Sequence, residues 1–171
     1  MEKKRIYILT TGGTIEKTYD EVEGKIDNHE TVLKQTILTQ LRFPHTHVEV
    51  KYLMNKDSLQ MDEQDRTIIA QAIERFSQYN HPIIVIHGTD TMDLTAKHCH
   101  ESISNISVPV IFTGAMKPLG FKDSDALQNV TESLTAAAIL KPGFYINFHN
   151  HIFTVPNVRK NKQKRTFEEV T

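Results

Sequence analysis

The chain has 171 residues, with 20 Lys+Arg against 21 Asp+Glu and one cysteine. A single domain of this length buries roughly two thirds of the surface its unfolded form exposes, so no covalent staple is required. The near-zero net charge offers no field for nucleic acid or a membrane surface. The lone Cys99 excludes an internal disulfide and a zinc-cysteine or redox site, and no apolar run reaches the roughly 20 residues that span a bilayer.

The start, Met1-Glu2-Lys3-Lys4-Arg5, has no apolar signal core, so a cytoplasmic location is expected. The first strand is predicted at Ile6-Tyr7-Ile8-Leu9. It runs into the turn Thr11-Gly12-Gly13-Thr14, in which the glycines permit positive φ and close backbone approach, and Thr14 is the exposed hydroxyl. This turn is neither Gly-x-Gly-x-x-Gly nor a P-loop, and it loosely resembles the flavin-phosphate loop of flavodoxins. Residue types alone leave catalysis, phosphate binding and a plain turn open. The polar stretch from Glu16 to Asp27, with Tyr19 and Gly24, reads as a mobile lid. Its phenol is able to relay a proton only if its pKa falls from about 10.

A helical stripe of Leu33, Ile37, Leu38 and Leu41 precedes a second strand, Val48 to Leu53, whose alternation places it near a sheet edge. Asp57-Ser58-Leu59-Gln60-Met61 follows, where Ser58 is either a carboxylate binder or a turn residue. Asp62 caps a helix with Ile68, Ile69, Ala72, Ile73 and Phe76 inward. A third strand, Ile83-Ile84-Val85-Ile86, runs into His87-Gly88-Thr89-Asp90-Thr91. Glycine, hydroxyl and carboxylate meet there at a helix start, where backbone N–H groups favour an anion or a developing oxyanion. Asp90 is expected to open that helix, with Leu94 and Ile103 inward. The fourth strand, Val108 to Phe112, leads to Thr113-Gly114-Ala115-Met116-Lys117-Pro118. Asp123 or Ser124 opens a helix through Leu127, Val130, Leu134 and Ala138, which Pro142-Gly143 ends. The fifth strand is Phe144 to Phe148.

Strands alternating with helices predict a doubly wound, flavodoxin-like, mostly parallel α/β sheet with helices on both faces. Four loops, three of them glycine-bearing, then share the rim where such sheets bind ligands. Residues 1–158 are expected to form this domain, and 159–171 a basic tail. The run Arg159 to Arg165 lacks interleaved aromatics and is no case for nucleic acid. His98 and His100 point to different helix faces, and His149 and His151 have no third ligand near them, so no metal is expected.

Taken together, Thr11-Gly12-Gly13-Thr14-Ile15 and His87-Gly88-Thr89-Asp90-Thr91-Met92, at this separation, resemble the two signatures of the bacterial-type L-asparaginase (asparaginase/glutaminase) family. The resemblance extends to Asp57 to Met61 and Val110 to Pro118, and covers the N-terminal catalytic domain of that family. It implies hydrolysis of L-asparagine to L-aspartate and ammonia through an acyl-enzyme on Thr14. It also implies a second triad of Thr89, Asp90 and Lys160, with Lys162 as the fallback, and a lid residue in Tyr19. Asp90 would hold the substrate α-amino group and Ser58 its α-carboxylate. Asp57, Gly88, Leu59, Gln60 and Ala115 would complete the substrate site, with the Thr89 N–H helping to hold the oxyanion.

The chain departs from the pattern at Leu59, where many relatives carry a polar residue, and at Tyr19, which sits closer to Thr14 than the lid tyrosine of larger relatives. It also stops near where relatives begin a linker to a second domain. The expectation is a metal-free, cofactor-free homo-oligomer acting on a small molecule, without nucleic acid or membrane. The alternatives are a truncated, non-enzymatic amino-acid-binding or regulatory domain and, more remotely, a flavin-binding protein of flavodoxin type.

Overall fold

A computed structural model describes residues 4–20, 25–28 and 37–170. The central sheet is built from β1 (Lys4–Thr10), β4 (Thr46–Tyr52), β5 (Ile83–Ile86), β6 (Pro109–Thr113), β7 (Gly143–Phe148) and β8 (His151–Thr154), in the order β4-β1-β5-β6-β7-β8. All neighbours pair in parallel except β8, which turns back antiparallel along β7. Counting only the parallel strands, this is the 2-1-3-4-5 order of the doubly wound, flavodoxin-like class, with its switch point between β1 and β5. β4 is one of the two edge strands, as its alternating sequence predicts, and β8 is the other.

Period-two alternation divides the strands between two cores. Tyr7, Leu9, Ile83, Val85 and Phe112 face α1 (Glu63–Ser77) and α2 (Met92–Ser102), which supply Ile69, Ile73, Ala96 and Cys99. Ile6, Ile8, Ile84, Ile86 and Ile111 face α3 (Ala126–Ile139), which supplies Val130, Leu134 and Ala137. The central strands are buried on both faces, which is why they read as unbroken apolar runs.

Asp62 caps α1 with a reciprocal capping box, its side chain accepting from Asp65 N while Asp65 accepts from Asp62 N. Other boundaries differ from expectation. The N-cap of α2 is Thr91 rather than Asp90, and that of α3 is Asp125 rather than Asp123 or Ser124. Leu94 and Leu127 lie 55% and 40% exposed, because each sits one residue off the buried stripe of its helix. The stripe expected at Leu33 to Leu41 is described only from Ile37, as a one-turn 3-10 helix over Leu38–Gln40; Leu33 lies outside the described residues.

Two small antiparallel hairpins flank the sheet. One pairs β2 (Lys17–Asp20) with β3 (Lys25–Asn28), within the stretch expected as a lid. The other pairs β9 (Val158–Asn161) with β10 (Thr166–Glu169) and occupies the stretch expected as a solvated tail. Phe167 explains the docking of the second: it is 3% exposed and packs on Phe148 with ring centroids 5.1 Å apart. Glu168 then ties the two strands together by accepting from Asn161, Lys164 and Arg159.

Candidate active site

Thr10 at the end of β1 lies opposite Ile86 at the end of β5, so the two threonine-glycine turns leave the sheet side by side. The first turn is clamped on both flanks. Thr11 donates its hydroxyl to Ile86 O at 2.8 Å, and Thr11 O accepts from Lys56 N at 3.0 Å. Gly12 and Gly13 hold φ of 99° and 95°, where a side chain is strained. Space forbids one as well: a Cβ on Gly12 would stand 2.6 Å from Lys56 N, and one on Gly13 2.6 Å from Gly88 Cα. The two turns therefore touch backbone to backbone at Gly13 and Gly88. Thr14 and Thr89 each follow that seam by one residue, and Thr10 and Thr11 are buried while Thr14 is only partly so.

The second turn carries the charged constellation. Lys160, from β9, donates its Nζ to Thr89 Oγ1 at 2.8 Å and to Asp90 Oδ1 at 2.7 Å. The lysine side chain is 12% exposed and the aspartate 37%, so the ammonium is held from inside while its partner carboxylate opens to the rim. The Lys160 backbone N–H is anchored on Asp93 at the start of α2, 3.2 Å away. Asp90 thus serves the lysine rather than the helix end, and the capping residue Thr91 turns its hydroxyl to Ser58 O at 2.8 Å. Lys162, the alternative lysine, is exposed at the hairpin turn.

Ser58 is 2% exposed and sits under Gly88, where a Cβ would come within 2.6 Å of its Oγ. Asp57 shapes this loop by accepting from Leu59 N, and it pairs with Lys17 at 3.3 Å. The Leu59 N–H, followed by Lys17, holds the Asp57 carboxyl below its ordinary range. Leu59 and Gln60 are exposed on the one-turn 3-10 helix Ser58–Gln60, whereas Ala115 is buried in the loop after β6. For Tyr19, only the backbone position in β2 opposite Ile26 is described.

His87, fully buried behind the second turn, contacts Gly88 O through Nδ1 at 2.8 Å. Burial pushes its pKa down to about 4, so the ring is neutral near pH 7 and serves as a prop, not a charge.

Sequence reasoning also missed a polar cluster beside the fourth loop. Asp125 accepts from Met116 N and Lys117 N, both at 3.0 Å, from Asn129 Nδ2, and from His149 Nε2 at 2.9 Å. Burial alone would raise the Asp125 carboxyl, but the Met116 and Lys117 N–H groups and His149 hold it below the usual range. The sequence places the helix start at Asp123 or Ser124 and offers His149 only as one of a histidine pair, so no local pattern joins His149 to Asp125. Among the described residues no group of three His, Cys, Asp or Glu side chains is placed to hold a metal, and no helix is long and apolar enough to cross a membrane.

Chemically, the rim offers a hydroxyl on a glycine seam and a second hydroxyl contacting an ammonium. It also offers a carboxylate and the N–H groups of a helix start. That set can polarise a carbonyl and shuttle a proton without a metal.

Comparison with known proteins gives a family and a fold. The sequence model of the asparaginase N-terminal domain matches residues 5–170. The L-asparaginase of Thermococcus kodakarensis is 31% identical over 161 residues, covering 91% of this chain and 47% of that protein. A component of the glutamyl-tRNA(Gln) amidotransferase of Thermoplasma acidophilum is 28% identical over 168 residues, covering 93% of this chain and 40% of that protein. Among solved structures, the thermostable L-asparaginase from Thermococcus kodakarensis superposes with a TM-score of 0.87 at 28% identity, over 96% of this chain and 51% of that one. The chain spans about half the length of the relatives it matches.

Proposed function

Because the chain belongs to the asparaginase family, matching its N-terminal domain, we propose that it is an L-asparaginase that hydrolyses the side-chain amide of L-asparagine to L-aspartate and ammonia. The observation that carries this reading is the Lys160 ammonium held between Thr89 and Asp90, 71 and 70 residues away in sequence. A threonine hydroxyl is a poor nucleophile unless a proton acceptor or charge network accompanies it.

In this reading Thr14 Oγ1 attacks the amide carbon while its proton passes to the Thr89–Lys160–Asp90 relay, and N–H groups around Thr89 receive the oxyanion. The intermediate collapses to a β-aspartyl ester on Thr14. Ammonia leaves with a proton delivered through the Thr89 hydroxyl. Water then attacks the ester, its proton passing to the Thr89–Lys160–Asp90 relay, and aspartate is released with the Thr14 hydroxyl restored. Asp90 receives the α-amino group, and Ser58 with Asp57 frames the α-carboxylate end. Gly88 keeps the seam open, and Leu59, Gln60 and Ala115 line its approaches. Tyr19 comes from the lid hairpin. Residues 1–158 supply the α/β body, and the stretch from 159 delivers the lysine. A cytoplasmic homo-oligomer belongs to the same reading, with a neighbouring copy covering the exposed rim at Leu59 and Gln60.

Purified protein given L-asparagine is expected to release ammonia, and Thr14→Ala and Thr89→Ala to lose at least about 10³-fold in kcat/KM. Full activity in both variants would refute the assignment. Similarity to an amidotransferase component supports a second reading, in which the same rim frees ammonia for a partner protein. Turnover of free asparagine without any partner decides against it. Aspartate binding without turnover on any amide would instead mark a non-catalytic amino-acid-binding domain.

A further inference from the structure

His149 stands where three parts of the rim meet. Its Nε2 contacts Asp125 Oδ2 at 2.9 Å and its Nδ1 contacts Thr166 Oγ1 at 3.0 Å. A carboxylate only accepts, so Nε2 carries the proton toward Asp125, and the Thr166 hydroxyl completes the other side of the ring. The two partners belong to different pieces of structure. Asp125 gathers the Met116 and Lys117 N–H groups and thereby fixes the loop after β6. Thr166 opens β10, whose next residue, Phe167, is registered against Lys160. One imidazole thus joins the loop carrying Ala115 to the hairpin carrying the lysine.

The turn is compatible with His149, and the contacts of its ring are additional to what the turn requires. His149 and Asn150 link β7 to β8 with φ of 50° and 61°, the mirror-type hairpin turn that favours Asn or Gly at both central positions. Asn150 fits that preference, and histidine, like asparagine, is enriched at positive φ, so the turn accommodates His149 as well. The ring is also backed by Phe148, with centroids 4.4 Å apart, and Phe148 in turn packs on Phe167 of the hairpin. The His149 backbone N–H donates to Asn129 Oδ1, and Asn129 Nδ2 donates to Gly114 O. Each of these contacts leads to one of the same two pieces.

We propose that His149 is a positioning residue, a latch that sets the Lys160 hairpin and the 114–117 loop in one fixed relation. Its catalytic consequence rests on the amide-hydrolysis reading. The latch residues touch neither Ser58 nor the Asp90 carboxylate directly, so the expected effect falls on turnover through the Lys160 ammonium more than on substrate affinity.

Thr166→Val removes the hydroxyl while retaining a strand-favouring β-branched side chain. His149→Asn retains a residue that accepts positive φ and loses the reach to Asp125. Glu132→Ala is the control: it frees the Asn150 N–H of the same turn, 2.9 Å from Glu132 Oε2, without touching the latch. In the full chain, Thr166→Val and His149→Asn should each lower kcat for ammonia release about tenfold or more with KM within about twofold, and the double variant should fall no further than the worse single. Glu132→Ala should lower the melting temperature and leave kcat unchanged. Hydrogen exchange at the Lys160 amide should speed up about tenfold in Thr166→Val and not in Glu132→Ala. Latch variants that lose melting temperature but keep kcat, or an unchanged Lys160 amide, would overturn the latch. If the unmodified chain releases no ammonia, the functional reading fails, and the Lys160 amide alone then decides for or against the latch.

Discussion

Replacing Lys160 by methionine keeps the length of the buried stem and removes only the ammonium. Its Nζ lies 2.8 Å from Thr89 Oγ1, where a full negative charge would gain roughly 6 kcal/mol at an effective dielectric of about 20. Only part of that charge develops in the transition state, and water reaches the rim through the 37% exposed Asp90. About 3–4 kcal/mol remains, a loss of about 10²–10³-fold in kcat. Stability should change little, since Asp90 is open enough to be hydrated once its partner is gone. The assay is steady-state ammonia release from L-asparagine, with melting temperature measured alongside. Lys162→Met, at the exposed hairpin turn, should stay within about twofold of the parent. The reasoning fails if Lys160→Met retains more than about a tenth of the activity, or if Lys162→Met matches its loss.

Gly13→Ala forces a Cβ to within 2.6 Å of Gly88 Cα at a φ of 95°, so calorimetry should show about 2–4 kcal/mol lost and activity should vanish with the seam. Phe167→Ala empties a site that is 3% exposed. Denaturant unfolding should record about 3–4 kcal/mol, and ammonia release should fall because the Lys160 hairpin loses its apolar anchor. His87 makes stability acid-sensitive in a definite window. Above pH 6.5 the ring is neutral in both states and the stability is fully present; as pH falls toward the folded value of about 4, the unfolded chain takes a proton that the folded chain refuses. Up to about 3 kcal/mol is lost across that interval. His87→Asn, which keeps a donor for Gly88 O, should flatten the pH dependence of urea unfolding by about 2 kcal/mol near pH 4.5, and parallel curves for the two proteins would exclude this origin.

What was legible in the sequence follows the range of the interaction that enforces it. The β1, β5, β6 and β7 runs announce themselves because burial on both faces demands apolar residues along most of each strand's length. The two turns are as visible, because their glycines are required locally by positive φ or by a neighbour with no room for a Cβ. The hairpin at Val158–Glu169 is not visible in this way. Its strands are four residues each, largely charged on the outer face, and only buried Phe167 and Val158 dock them on the core. From residue types alone that stretch reads as a solvated basic run. Only the family resemblance singled out Lys160, and the contacts with Thr89 and Asp90 show why no local pattern could: the lysine has no role except beside partners 70 and 71 residues earlier. The Asp125–His149–Thr166 chain is hidden for the same reason, joining a helix start, a turn and a strand edge that share no periodicity. In this fold, therefore, the groups that would react are written next to the sheet's switch point. The groups that hold them in relation are written wherever the returning chain happens to meet it, and those are the positions where substitution should change turnover while leaving the recognisable signatures intact.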